Sequence, residues 1–124
     1  MNDIAIYEGD SSKIDLTLYY SQLWSVAAKR GTPVLQADVT TLYLYAKEFV
    51  SDTTAWLQLS TASASQIAWL SPTTGQVRIY FPATTSGHAG DNQVYEIRAK
   101  MADGSYNTII SGNLHVLASV VGQA

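Results

Sequence analysis

Few residues of this chain could bind a metal ion. The sequence holds two histidines and no cysteine; His88 lies in a loop flanked by glycines, and His115 lies on the polar face of the last predicted strand. No HxH, HxxxH or cysteine pair supplies the ligand spacing of a metal site. A calcium site at Asp91 and Asn92 would lack the full cage of oxygen ligands that calcium requires. We therefore predict no metal-binding residues.

Nucleophilic catalysis would need a serine beside a base that a third group orients. Ser86, His88 and Asp91 are close enough in sequence to be considered for these roles. All three share one loop, however, and no strand-turn-helix elbow would present the serine. The pattern favours a protein that is not an enzyme, with no catalytic residues and no cofactor.

Paired carboxylates could act as a general acid and base across a cleft. Glu8 and Asp10 are close in sequence, but they lie beside a predicted turn. Aspartates at turns usually accept hydrogen bonds from their own backbone. Asp52 and Asp103 lie at similar positions, and we predict the same local role for them.

The aromatic residues are the candidates for a binding surface. Most of them alternate with predicted core positions, so that they lie on the outer faces of strands, and one lies in an irregular segment. Three interpretations remain open: cross-strand pairing on a half-exposed sheet, a protein–protein contact, and a platform for carbohydrate. The candidate interface residues are Tyr19, Trp24, Tyr43, Tyr45, Trp56 and Tyr80.

A period of two in the apolar residues places these aromatics on β-strands. In five runs every second side chain is apolar, which is typical of a strand with one buried face. Residues 4–8 and 66–70 allow two further short strands. The predicted core positions are Ile14, Leu16, Leu18 and Tyr20, then Leu42, Leu44 and Ala46, then Ala55, Leu57 and Leu59, then Val77, Ile79 and Phe81, and finally Tyr95, Ile97, Ala99 and Met101.

Residues 95–110 predict a β-hairpin. Asp103-Gly104 separates two alternating runs, which indicates a tight turn whose two central residues both take positive φ. Gly112, inside the second strand, indicates a bend or a bulge. With unbroken alternation, the core positions after the turn are Tyr106, Thr108 and Ile110.

These strands and turns predict an all-β fold, an antiparallel immunoglobulin-like β-sandwich of about seven to nine short strands. Residues 21–31 break the alternation, because a Ser N-cap, a Lys-Arg pair and Gly31 allow either one short helix near residues 21–30 or a wide loop. The chain of 124 residues fits a single domain over residues 1–124. A chain of this size buries roughly two-thirds of its unfolded surface on folding.

The charge pattern excludes several partners. The net charge is −3 and the charges are scattered, so we expect no nucleic-acid binding through phosphate contacts. No secretory leader and no long apolar run are present, so we expect no membrane insertion. Charged residues make up only 14% of the chain, where about a quarter is typical. This low fraction fits either an ordinary polar β surface or a surface that neighbouring proteins cover.

The order of strands and turns resembles a module of tailed-phage virion proteins. Over the second half, the matching segments are "LYLYAK", "LQLST", "IAWL", "TTGQVRIYFP", "ATTSGHAGD" and "VYEIRAKMADGSYNTIISGNLHV". "GDSSKIDLTLYY" is similar to the first strand of that family. Two segments depart from it: "LQADVTT" stands where a Leu-Thr-Gly is common, and "SQLWSVAAKRG" lengthens the first connection.

The resemblance implies a non-enzymatic structural protein of a bacteriophage virion. Such modules occur in baseplate upper proteins and in small virion proteins, and they have no catalytic residues. The shortness of the chain and the lack of an appended fibre domain favour a stand-alone tail or baseplate adaptor. Its expected partners are other virion proteins, in a homo-oligomer or symmetric assembly. Its expected location is the virion, assembled in the host cytoplasm.

Two alternatives remain beside the adaptor. A capsid decoration (cement) protein would fit the low charge equally well. A carbohydrate-binding adhesion module would use the outward-facing aromatic residues, with Tyr43, Tyr45 and Trp56 as its platform. Loss of glycan binding when these residues are replaced would favour the adhesion module, whereas co-purification with particles would favour a structural protein.

Overall fold

The structure is a computed structural model that describes residues 3–7, 12–20, 27–49, 51–81 and 90–117. Within these ranges the chain forms eight β-strands and no α-helix, which confirms the all-β class. The strands are β1 (Ile4–Tyr7), β2 (Ser12–Thr17), β3 (Val39–Lys47), β4 (Leu57–Ser60), β5 (Ile67–Ser71), β6 (Gln76–Phe81), β7 (Gly90–Met101) and β8 (Tyr106–Leu117).

The strands form two sheets, in keeping with the predicted sandwich. The larger sheet has five strands in the order β1-β8-β7-β3-β4, and the smaller sheet has three in the order β2-β6-β5. Every pair is antiparallel except the edge pair β1–β8, which is parallel, with Ile4 opposite Leu114 and Ile6 opposite Val116. β7 and β8 have twelve residues each and form the longest ladder of the fold.

The core lies between the two sheets and is built from the predicted alternation. On β3, β6 and β7, the predicted core positions are buried, and the residues between them are partly or fully exposed. Leu18 and Tyr20, which follow β2 and continue its alternation, are buried, while Ile14 and Leu16 of β2 are partly buried. Each large apolar side chain buried in this way stabilises the fold by about 1.5–3 kcal/mol.

A β-bulge changes the faces of β8. Ile97 of β7 is opposite Ile110, but the next residue, Arg98, is opposite Thr108, so that Ile109 is an extra residue in β8. Ile109 is buried. Because the bulge shifts the alternation by one position, the residues between the turn and the bulge present the opposite faces from those predicted.

Two predictions for β8 are therefore wrong. Tyr106 and Thr108 do not face the core: both are exposed, Tyr106 with 51% of its surface. Ile110, beyond the bulge, is partly buried and packs against the core. The predicted irregularity at Gly112 is also misplaced, because Gly112 stays in register opposite Tyr95 and the bulge lies three residues earlier.

The turn between β7 and β8 is longer than predicted. Gly104 has a φ of 89°, but no residue other than glycine has a positive φ among the described residues, so Asp103 does not share this conformation. The Met101 N–H donates to the carbonyl of Ser105 across 2.8 Å, which closes a loop of three residues, 102–104. As predicted, the Asp103 carboxylate binds locally, accepting the Ser105 N–H at 2.9 Å. Asp52 likewise accepts the N–H of Phe49 at 3.2 Å.

The turn between β5 and β6 is packed against the rest of the chain. Gly75 has a φ of 72°, and its carbonyl accepts a hydrogen bond of 2.8 Å from the Leu18 N–H. A Cβ atom at this position would lie 2.3 Å from the carbonyl oxygen of Leu18. Only glycine therefore fits here, for reasons of both conformation and space.

The irregular segment after β2 is only partly described. Residues 21–26, the first part of the predicted helix or loop, lie outside the described residues. The described remainder contains a single 3-10 turn, Ala27–Lys29. The chain then returns beside residue 20, where the Tyr20 N–H donates to the carbonyl of Thr32 at 2.9 Å.

Candidate functional site

The six aromatic candidates do not form one surface. Tyr43 and Tyr45 lie on the outer face of the five-stranded sheet, because they alternate with buried residues of β3. Tyr80 lies on the outer face of the three-stranded sheet, on the opposite side of the sandwich. Tyr19 follows β2 and is 52% exposed. Trp24 lies outside the described residues.

Trp56 packs against the core instead of pointing outward. The indole is partly buried and packs against the core, although alternation assigns it to the outer face. Its Nε1 donates a hydrogen bond of 2.7 Å to Oε1 of Gln93. Gln93 is only 3% exposed, so this bond satisfies a buried amide that would otherwise be costly.

Two tyrosines stack on the outer face of the five-stranded sheet. The rings of Tyr43 and Tyr45 have centroids 5.8 Å apart and planes inclined by 16°. Residues two apart on a strand point to the same side, which brings the rings together. Tyr43 is opposite Arg98 of β7, and Tyr45 is opposite Glu96. Burial, with a smaller effect of the Tyr43 hydroxyl, raises the pKa of Tyr45.

A third tyrosine, Tyr106, joins this face because of the bulge in β8. Its ring centroid lies 5.8 Å from the guanidinium carbon of Arg98 and 5.9 Å from Nζ of Lys100. Cations at such distances are attracted to the face of an aromatic ring. Alternation alone missed this residue; the signal for it was Ile109, an apolar side chain out of phase with its neighbours.

A groove lies beside Tyr45 on the same outer face. Its volume is about 650 Å³, which is within the range of sites for small molecules. β3, β4, β7 and β8 contribute to its lining, and residues 53–55, between β3 and β4, form one wall. The lining residues are Tyr45, Lys47, Thr53, Thr54, Ala55, Gln58, Val94, Tyr95, Glu96, Arg98, Ser111, Gly112 and Asn113.

Several polar side chains in the groove have no partner within the described part of the chain. Gln58, Ser111 and Asn113 make no side-chain hydrogen bond there. Nε of Arg98 is shielded from solvent and has no acceptor, since the nearest carboxylate oxygen, Oε1 of Glu96, is 3.9 Å away. Shielded donors are rarely left without an acceptor in native proteins, so this environment of Arg98 is unusual. The unused capacity of the groove for hydrogen bonds lies in Gln58, Ser111 and Asn113.

On the outer face of the three-stranded sheet, two charged side chains bond to each other. Nε and Nη2 of Arg78 donate to the two carboxylate oxygens of Asp15 at 2.7 and 3.0 Å. The two residues are directly opposite in the β2–β6 register, which explains this two-point contact. The hydrogen bond from Arg78 lowers the pKa of Asp15, and the bonds of Arg78 to Asp15 and Tyr80 raise the pKa of the guanidinium.

A second polar cluster connects the two sheets. Tyr20 follows β2, and Asp38 precedes β3; the hydroxyl of Tyr20 donates to Oδ2 of Asp38 at 2.7 Å. Nζ of Lys29 donates to the same oxygen and lies 5.4 Å from the centroid of the Tyr20 ring. Hydrogen bonds from Lys29 and then Tyr20 lower the pKa of Asp38. Burial and the bond to Asp38 raise the pKa of Tyr20.

A long segment without charged residues includes two edge strands. Between Asp52 and Arg78 the sequence contains no Asp, Glu, Lys, Arg or His, and we name residues 53–77 the uncharged flank. It includes β4 and β5, which are edge strands of the two sheets. Leu70 exposes 44% of its surface, and Trp69 is partly buried. A count of charges along the sequence would have identified this segment.

The residues considered for catalysis and metal binding are mostly outside the described part of the chain. This applies to Ser86, His88 and the side chain of Asp91. His115 is described: its Nε2 lies 3.5 Å from Oδ2 of Asp3 at the β1 edge. Within the described ranges, no three side chains of His, Asp or Glu form a potential metal-binding group.

Within the same ranges, no helix is both long and apolar enough to cross a membrane. Comparison of the chain with protein-family models gives no match. Comparison with curated proteins gives no match either.

Proposed function

We propose that this protein is a non-enzymatic structural protein of a tailed-phage particle, where it acts as a tail or baseplate adaptor through protein–protein contacts. The uncharged flank is the observation that carries this proposal. The resemblance of the strand and turn order to tailed-phage virion modules supports it, as does the two-layer sandwich formed by eight strands of the described chain.

The uncharged flank shares one feature with interface cores, the absence of charged residues. Charged residues are depleted at the centres of protein–protein interfaces, because burying them there costs solvation energy. On this flank a partner would cover exposed Leu70 and complete the burial of Trp69 without removing any charge from water. The occupant we propose is a similarly uncharged surface of a neighbouring virion subunit.

The contact is made by side chains rather than by strand addition. β5 has only five residues, and a bulge interrupts its register between Trp69 and Ser71. Pro72 follows directly. Short length, bulges and proline are the features by which edge strands avoid pairing with other chains. An interface on this flank therefore depends on Leu70 and its neighbours, not on new backbone hydrogen bonds.

Capsid decoration is the second role we propose to test. A cement protein would use the same uncharged flank and fit the same low charge, with capsid subunits as its neighbours. In either position, copies of the chain would form a homo-oligomer or symmetric array within the virion. The place of the protein in a cryo-EM map of the particle separates the two roles.

The test is the incorporation of variants into particles. Wild-type protein should be present at a stoichiometric level in purified virions by mass spectrometry. Leu70→Arg places a charge in the uncharged flank and should reduce incorporation at least about tenfold, since a buried unpaired charge is strongly unfavourable. Thr108→Arg introduces the same charge at an exposed position on the five-stranded sheet and should be incorporated normally.

Absence of the protein from purified virions would overturn the proposal. Equal incorporation of the Leu70→Arg and Thr108→Arg variants would also contradict it, because the flank would then make no contact. Circular dichroism of both variants shows whether each is folded before it is added to the assembly reaction.

A further inference from the structure

We propose that the groove beside Tyr45 is a binding site for a neutral saccharide. This function is additional to the structural role, because the groove opens on the outer face of the five-stranded sheet. The proposed docking contact is centred on Leu70 of β5, in the other sheet, and does not need residues 53–55 and Gln58, the part of the uncharged flank that lines the groove. One subunit could therefore bind a neighbour and a saccharide at the same time.

The shape of the groove fits a chain of sugar rings rather than a flat surface contact. Its volume of about 650 Å³ accommodates a short oligosaccharide. The strands β7 and β8 form its floor. Residues 53–55 rise on one side, so that a ligand is enclosed on more than one face.

The aromatic wall supplies a platform for a sugar ring. Tyr45 lines the groove, whereas Tyr43, stacked on it at 5.8 Å, does not. Tyr43 therefore supports Tyr45 from outside and fixes the orientation of its ring. The face of an aromatic ring is electronegative and attracts the polarised C–H groups of a pyranose.

The polar side chains of the groove match hydroxyl groups. Gln58 comes from β4, and Ser111 and Asn113 come from β8, so these groups converge from different strands. Each of the three can both donate and accept a hydrogen bond, as each sugar hydroxyl can. Because the three make no side-chain hydrogen bond within the described residues, a ligand needs to displace no protein contact.

The charged residues of the groove are of both signs, which limits its attraction for an anionic ligand. Lys47 and Arg98 are accompanied by Glu96, so the lining contains both signs. An anionic sugar near Arg98 would also approach the Glu96 carboxylate, whose Oε1 is 3.9 Å from Nε of Arg98. A neutral hydroxyl can instead accept from the exposed part of the Arg98 guanidinium while its proton is donated to Glu96, since both side chains are about 40% exposed.

The experiment begins with a glycan array that contains neutral and acidic oligosaccharides, probed with the full chain. The strongest ligand is then titrated by calorimetry. A neutral oligosaccharide should bind, and Tyr45→Ala should weaken its binding about tenfold. Gln58→Ala and Asn113→Ala should each weaken it about threefold to tenfold. Tyr80→Ala, a matched change on the opposite sheet, should leave the affinity unchanged.

The saccharide should also shift the backbone amide resonances of residues 94–98 and 111–113 in a heteronuclear NMR spectrum. Failure of every saccharide to bind would overturn the proposal. So would binding that Tyr45→Ala leaves unchanged, or binding restricted to acidic saccharides and lost in about 0.5 M salt, since such binding is a screened charge attraction. Particle incorporation is a separate measurement, so either proposal can fail while the other stands.

Discussion

The two outer faces of the sandwich differ in whether their polar side chains have hydrogen-bond partners within the protein. On the three-stranded sheet, Asp15 and Arg78 form a two-point ion pair at 2.7 and 3.0 Å. On the five-stranded sheet, Arg98 keeps a shielded Nε without an acceptor, and Gln58 and Asn113 make no side-chain hydrogen bond within the described residues. We call the outer face of the three-stranded sheet the closed face, because its polar groups bond to each other. We call the outer face of the five-stranded sheet the open face, because its polar groups are available to a ligand.

Strand register explains the difference. β2 and β6 place Asp15 directly opposite Arg78, so that opposite charges meet across the ladder. On the larger sheet, Arg98 is flanked by Tyr43 and Thr108. Its nearest carboxylate belongs to Glu96, two residues away on the same strand, which leaves a gap of 3.9 Å. The polar groups of this face lack partners because the residues opposite Arg98 on both neighbouring strands are uncharged.

The largest expected loss of stability comes from the turn between β5 and β6, in the three-stranded sheet. Gly75→Ala puts a Cβ 2.3 Å from the Leu18 carbonyl oxygen at a φ of 72°. We expect a loss of about 3 kcal/mol or more in the free energy of unfolding, measured by urea denaturation. The matched change is Gly104→Ala, in the β7–β8 turn of the five-stranded sheet. Its Cβ meets no atom within 4 Å, and the free energy of unfolding should fall by about 1 kcal/mol. Equal losses would show that packing at Gly75 does not matter.

A smaller loss of stability is expected at the hydrogen bond between Tyr20 and Asp38, which connects the two sheets. Tyr20→Phe removes the hydroxyl that donates to Asp38 at 2.7 Å and leaves the buried ring in place. The free energy of unfolding should fall by about 1–2 kcal/mol, because a hydrogen bond to a charged acceptor is lost. Saccharide affinity should stay constant, because no residue of this cluster lines the groove. A large change in that affinity would mean that the two faces are coupled.

The smallest effect concerns pH. The Arg78 hydrogen bond lowers the pKa of Asp15, and those of Lys29 and Tyr20 lower the pKa of Asp38. A carboxylate whose pKa is lower in the folded state stabilises the protein above its unfolded pKa, about 3.9, and loses this contribution as the pH falls further.

The melting temperature should therefore decrease below about pH 4. Asp15→Asn should make this acid-induced decrease shallower, and only slightly, because the pair is solvent-exposed and screened. The measurement is thermal unfolding of wild type and variant between neutral and acidic pH. An unchanged acid response in Asp15→Asn would show that the Asp15–Arg78 pair makes no pH-dependent contribution to stability.

Most of the fold was predictable because most strands keep a period of two. Leu42, Leu44 and Ala46 are buried as alternation predicts, and so are Val77, Ile79 and Phe81. The prediction failed between the turn and the bulge of β8, where one extra residue, Ile109, reverses the faces. The sequence held one sign of the bulge, because Ile109 is apolar and out of phase with its neighbours, but strict alternation does not allow for an extra residue.

The candidate site was predictable only in part. Tyr43 and Tyr45 were correctly placed on an outer face, since they alternate with leucines. The groove could not be predicted, because it depends on how residues 53–55 lie over β7 and β8, which are distant in sequence. Trp56 shows the same limitation: its bond to Gln93 depends on a contact across 37 positions.

The parallel pairing of β1 with β8 has a mechanical consequence. These strands lie nearest the two ends of the chain, and four residue pairs join them, from Ile4–Leu114 to Tyr7–Leu117. Tension applied before Ile4 and after Leu117 pulls the strands in opposite directions along their length. All the hydrogen bonds of the ladder then bear the load together, and none can open ahead of the others. The edge of the larger sheet therefore acts as a shear clamp, which resists stretching far better than an antiparallel hairpin opened from one end.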